Sequence, residues 1–101
     1  MRIALGAAFI PAEPRADLQS ILGAAGSMTL LEPVRLRTLL DLIESSGGPA
    51  IEVSPEALLG GSLEHARAQG SGVAADLLEA SLEPAGLRAV DRRGRAALVP
   101  R

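Results

Sequence analysis

Cysteine, lysine, asparagine, tryptophan and tyrosine are missing from this 101-residue chain, and Phe9 is its only aromatic residue. Without cysteine there is no disulfide, no thiolate nucleophile and no cysteine-ligated metal. Without lysine there is no G-x-x-x-x-G-K-[ST] phosphate loop. The G-x-S-x-G pattern of a serine nucleophile elbow does not occur either. With His65 as the single histidine, a multi-histidine metal site is excluded. Every positive side chain is arginine, which binds carboxylates and phosphates through two parallel hydrogen bonds. The same alphabet follows from a GC-rich genome, since Lys, Asn, Tyr and Phe have AT-rich codons, and it points to a bacterial or archaeal source. The lack of cysteine fits a cytoplasmic location.

No apolar run approaches the roughly 18 residues of a membrane span. Arg2 followed by Ile3-Ala4-Leu5-Gly6-Ala7-Ala8-Phe9-Ile10 has the flavour of a signal peptide. Its apolar core is short, and Pro11, Glu13 and Pro14 follow at once, so residues 2–10 read as a buried strand. A chain of this length is expected to form one domain, residues 1–101. Its hydrophobic fraction of 48% is high for so small a core, and apolar surface left outside becomes an interface.

What is present is an uneven distribution of charge. Residues 1–83 hold eleven acidic residues against five arginines, whereas residues 84–101 hold five arginines against Asp91 alone. A basic end on an acidic body suggests a contact surface for an anionic partner, or for the acidic face of a second copy.

Punctuation by Gly and Pro divides the chain. A helix is expected from Pro14 to about Leu22, with Leu18, Ile21 and Leu22 on one stripe and Asp17 at its N-terminal dipole. A second is expected over residues 33–46, opened by Pro33, carrying Leu36, Leu39, Leu40 and Ile43 at helical spacing and stopped by Gly47-Gly48-Pro49. Ala50–Val53 suits a short strand, and Ser54-Pro55-Glu56 is a helix start. Ser62 is expected to cap a weak turn through Arg67, and Gly70-Ser71-Gly72 to break the chain before a helix from Val73 to Leu82. Leu87–Asp91 and Arg95–Val99 form a hairpin across Arg92-Arg93-Gly94, which matches a three-residue loop with a bulge at glycine. Asp91 and Arg95 could pair across that loop. The fold class is therefore α+β, with about four helices packed on a small sheet shared by the N-terminal strand and the C-terminal hairpin. The order can also be drawn as a winged helix-turn-helix. The expected core is Ile3, Leu5, Leu18, Ile21, Leu22, Leu36, Leu39, Leu40, Ile43, Leu77, Leu78, Val90 and Leu98.

Three weaker patterns compete with ordinary structural roles. Gly70-Ser71-Gly72-Val73-Ala74-Ala75 fits G-x-G-x-x-A, and Asp91 lies 19 residues beyond Gly72. The segment upstream reads as helix rather than strand, and the 29 residues after Gly72 are too few for a dinucleotide fold, so a glycine loop is the better reading. His65 could act as a general base, but no carboxylate partner is identifiable, and a surface role is preferred. Leu31–Arg37 resembles Leu82–Arg88 at an offset of 51, though the flanks do not match.

These residues point to a non-catalytic protein–protein interaction or regulatory module. It would act as an oligomer or as a subunit of a larger assembly, with Arg88, Arg92, Arg93, Arg95 and Arg101 as the interaction residues. Its partner would be another protein or a second copy, with no cofactor and no metal. The alternative is a winged-helix DNA-binding transcriptional regulator, whose basic hairpin would touch phosphates. Against it, the helix that would enter the major groove carries Asp76, Glu79 and Glu83 and no arginine. A third class is a small enzyme or ligand-binding domain built around His65 or the Gly70–Gly72 loop.

Overall fold

A computed structural model describes residues 14–101. The strand expected over residues 2–10, with Ile3 and Leu5, lies outside the described residues. In chain order the elements are α1 (Leu18–Ile21), a 3-10 turn (Gly23–Ala25), β1 (Ser27–Arg35), α2 (Leu36–Ser45), β2 (Glu52–Val53), α3 (Pro55–Leu59), α4 (Ser62–His65), β3 (Arg67–Val73), α5 (Ala74–Ala85), β4 (Leu87–Arg92) and β5 (Arg95–Pro100). The fold is mixed α+β, with five α-helices and two small sheets among the described residues.

β1 and β3 form a two-stranded antiparallel ribbon, running from the pair Ser27–Val73 to the pair Arg35–Arg67. The segment expected to open the second helix is therefore strand up to Arg35, and the segment expected as a glycine break is strand as well. Pro33 is tolerated because the ladder is irregular between Leu30 and Val34, where a missing N–H costs no cross-strand bond. Each strand leads directly into a helix. The Leu36 N–H at the start of α2 donates to the Ala66 carbonyl at 3.0 Å, and the Ala74 N–H at the start of α5 donates to the Gly26 carbonyl at 2.9 Å. The residue preceding each strand thus satisfies an end of the helix that follows the other strand, a service more often given by a Ser or Asp side chain. This strand–helix repetition has a different register from the one at an offset of 51, whose first copy enters a helix and whose second leaves one.

The second sheet has the order β2–β5–β4, with β2 parallel and β4 antiparallel to the central β5. Ala96–Val99 of β5 are buried on both faces, as a central strand requires. Pro14–Ala16, expected as helix, instead run along the outer edge of β4. The Asp91 N–H donates to the Pro14 carbonyl at 2.7 Å, and the Ala16 N–H donates to the Ala89 carbonyl at 3.1 Å. Open backbone groups on an edge strand are thereby paired, and α1 begins only after Asp17, whose carboxylate accepts from the Ser20 N–H.

α2 buries Leu36, Leu39 and Ile43. α5 buries Leu77, Leu78 and Leu82 and continues past its expected end through Pro84 to Ala85, where Gly86 stops it at φ +73°. Pro84 lies in the last turn, where the lost bond would go to the exposed Ala80, whose carbonyl water can reach. Ser54 caps α3 as expected, accepting from the Ala57 N–H. Ser62 does not cap α4; its hydroxyl donates to the Ala85 carbonyl at 3.0 Å, and Gly61 holds the cap position. Of the expected core, Leu18, Leu22, Leu36, Leu39, Ile43, Leu77, Leu78, Val90 and Leu98 are buried, and Ile21 and Leu40 are partly so. Leu30, Leu63, Leu82 and Leu87 join them.

The winged helix-turn-helix layout is not what these elements make. In that motif a short turn joins the second helix to the third. Here the whole of β3 stands between α4 and α5, paired to β1.

Candidate interaction surface

The hairpin forms, with a tighter tip than expected. Arg92 pairs with Arg95, so the loop is the two residues Arg93-Gly94 rather than three. Both have positive φ, 58° and 83°, which is the backbone of a type I′ turn and matches the right-handed twist of the strands. Asp91 does not pair with Arg95. It stands opposite Ala96, and its Oδ1 accepts from the Gly94 N–H at 2.7 Å, closing the turn.

The turn brings Arg92, Arg93 and Arg95 together at an exposed tip. Arg92 Nη1 lies 3.9 Å from Glu52 Oε2 on β2. Among the described residues, no carboxylate pairs with Arg93 or Arg95. Arg88 and Arg101 are placed elsewhere. Arg88 is half-buried opposite Val99, and Arg101 lies at the far end of the hairpin, where its N–H donates to the Gly86 carbonyl.

A second arginine cluster, not foreseen in the sequence, sits at the end of the ribbon. Arg35 and Arg67 face each other across β1 and β3, Arg37 follows on α2, and Glu64 of α4 lies among them. The Arg37 Nε–H donates to Glu64 Oε2, and Arg35 Nη1 lies 3.7 Å from Glu64 Oε1. Arg67 donates from Nη1 to the carbonyls of Glu64, His65 and Ala66 at 2.7, 3.2 and 3.3 Å, which places a cation at the C-terminal end of α4. The Arg37 hydrogen bond holds the Glu64 carboxyl below the usual carboxylate range. The nearby charges of Arg37, Arg35 and His65 act in the same direction, and partial desolvation opposes them. The only sequence signals were the Glu64–Arg67 spacing and the Arg35-Leu36-Arg37 alternation; the ribbon pairing that unites them is not local.

A groove of about 180 Å³ opens between α2 and the β2–α3 segment, lined by the apolar Leu40, Ile51, Val53 and Leu58 and by the exposed Asp41 and Glu44. Arg37 also lines it, with its guanidinium engaged by Glu64. A second depression, of about 410 Å³, follows the irregular stretch of β1 beside the exposed Leu31. His65 is exposed and lines neither. Gly70 and Gly72 belong to β3, so the G-x-G pattern lies within a strand instead of a strand-to-helix loop. Among the described residues there is no group of three His, Asp or Glu side chains able to hold a metal ion. Likewise, no helix there is long and apolar enough to cross a membrane. No family model, curated protein or solved structure matches this chain.

Proposed function

We propose that this protein is a non-catalytic docking module that engages an acidic protein surface through the tip of its C-terminal hairpin, as an oligomer or as a subunit of a larger assembly. The observation that carries this reading is the density of cation at the tip. Two arginines face each other across the last rung of β4 and β5, and the third is held in a left-handed backbone conformation. Like charges opposite one another weaken a hairpin, and a bulky residue at positive φ is strained. A sequence selected for stability alone would place Thr and Asn or Gly there. Strain and repulsion retained together at an exposed turn support a contact role. Such a tip speeds and orients encounter more than it adds affinity. A cytoplasmic setting fits the cysteine-free chain.

The DNA-binding alternative has less support. Asp76, Glu79 and Glu83 are exposed on α5, the helix that would have to approach phosphates.

The test is a titration with a fluorescent poly-glutamate peptide and, in parallel, a DNA duplex, each at two salt concentrations. Wild-type protein binds the peptide with salt-dependent affinity, and the Arg93→Ala/Arg95→Ala variant loses that binding while remaining folded. Equal peptide binding by the two proteins would overturn the reading, as would tighter, salt-sensitive binding of the duplex.

A further inference from the structure

We infer that the acid-lined groove beside α2 receives the arginine tip of a second copy of this chain, and that the two copies exchange tips about a two-fold axis. This rests on the reading of the tip as a docking surface and names its partner.

The first support is charge complementarity. Asp41 and Glu44 line the groove and are exposed, about one turn of α2 apart, and each can accept a guanidinium. Arg93 and Arg95 present two such groups within three residues of one another. Leu40, Ile51 and Leu58, the last 49% exposed, give the same groove an apolar lining. Arginine stems lie well on such a lining while their heads reach the carboxylates.

The second support is placement. β2 runs parallel to β5 with Glu52 level with Ala97. Val53, which lines the groove, follows Glu52 in β2, and Arg95 at the tip lies two residues before Ala97 in β5. Adjacent strands are about 4.8 Å apart. Groove and tip therefore share one end of the molecule, and the Arg92–Glu52 pair at 3.9 Å bridges β4 to β2 there. A basic and an acidic surface side by side form a self-complementary patch. Two copies related by a two-fold axis then satisfy both contacts at once, with a closed and not a filamentous assembly.

Sedimentation velocity with a charge-exchange set tests this. Wild type sediments as a dimer, and raising salt from about 0.05 to 0.5 M weakens the dimer at least about tenfold, since exposed pairs are screened. Asp41→Arg/Glu44→Arg protein has two basic surfaces and sediments as a monomer. Arg93→Glu/Arg95→Glu protein has two acidic surfaces and is also monomeric. An equimolar mixture of the two restores a dimer of mixed composition, because each tip then meets an opposite groove. Circular dichroism on each variant separates lost docking from lost folding, and recovery in the mixture requires both to be folded. If wild type is monomeric but its tip still binds poly-glutamate, the self-docking inference fails and the docking tip stands. If it is dimeric and neither exchange disturbs the dimer, the groove and the tip are not the interface. Loss of poly-glutamate binding together with a monomeric wild type would remove both readings.

Discussion

Arg92 stands directly opposite Arg95 on the last rung of the hairpin, and Arg35 stands directly opposite Arg67 at the end of the ribbon. The second pair is provided for: the Glu64 carboxylate lies 3.7 Å from Arg35, and three carbonyls of α4 and its C-terminal flank receive Arg67. At the hairpin, Arg92 has Glu52, and no carboxylate among the described residues pairs with Arg95. The two pairs share a chemistry, but no carboxylate among the described residues meets Arg95, which makes Arg95 the member expected to cost stability.

Arg95→Thr should therefore stabilise the protein by about 0.2–1 kcal/mol, the usual size of a cross-strand effect, since Thr suits a strand and removes the repulsion. The same change should weaken binding to an acidic surface. Urea unfolding with an unchanged slope and a higher midpoint, beside a loss of peptide affinity, is the expected pair of results. A lower midpoint would mean that Arg95 makes a stabilising contact.

The turn itself can be tested apart from its charge. A Cβ added at Gly94 meets nothing within 4 Å, yet φ there is +83°. Gly94→Ala should cost about 1–2 kcal/mol from backbone strain alone. Gly23 is the control, because its Cβ also meets nothing and its φ lies outside the left-handed range. Gly23→Ala should be neutral or stabilising by up to about 1 kcal/mol, through the reduced freedom of the unfolded chain. Equal midpoints for the two variants would contradict the turn assignment.

The hairpin and α2 were legible because their signals are local. Leu36, Leu39 and Ile43 recur at the helical period and are all buried, and Gly94 marks a turn between two apolar runs. The ribbon was not legible. β3 contains two glycines and no β-branched residue before Val73, and in β1 only Leu30 is buried, so neither strand shows an alternating apolar face. Those strands exist because each pairs with the other across more than thirty residues of chain. Pro33, a good opening residue for a helix, was absorbed into the irregular part of β1 instead. The same non-local pairing hid the Glu64 cluster, and the parallel β2–β5 pairing hid the contact of Arg92 with Glu52. The arginine tip was legible because three arginines in four residues are a feature of the sequence itself.

Gly48 offers a prediction of the opposite kind from Gly94. Its backbone conformation is ordinary, but a Cβ there would sit 2.8 Å from Ile43 Cγ2, 2.9 Å from the Ile43 carbonyl oxygen and 3.1 Å from Ala25 Cβ. The Gly48 N–H also donates to the Ile43 carbonyl at 2.9 Å, tying off the end of α2. The clash involves backbone, so no rotamer change relieves it. Gly48→Ala should cost about 1–3 kcal/mol, the range for overpacking. Thermal unfolding reads this directly, and an unchanged midpoint would mean that the segment after α2 yields freely.

Glu64 supplies the pH dependence. Its hydrogen bond from Arg37, supported by the charges of Arg37, Arg35 and His65, lowers its pKa in the folded protein. A lowered folded-state pKa means that the unfolded chain binds the proton more readily. The contribution to stability is then fully present above the unfolded value, about 4.3, and is lost as pH falls through the folded value. Carboxyl carbon NMR should place the Glu64 midpoint below that of an ordinary glutamate. Arg37→Gln should move it up, as should 1 M salt, because the cluster is exposed and screened. Below the folded-state midpoint, Arg35 and Arg37 lose the carboxylate they share, and Arg35 faces Arg67 without it. Strand pairing at that end of the ribbon should loosen, and the Leu36 amide, whose partner is the Ala66 carbonyl, should lose hydrogen-exchange protection in parallel with Glu64 protonation. A Glu64 midpoint that Arg37→Gln leaves in place would show that the lowered pKa has another source.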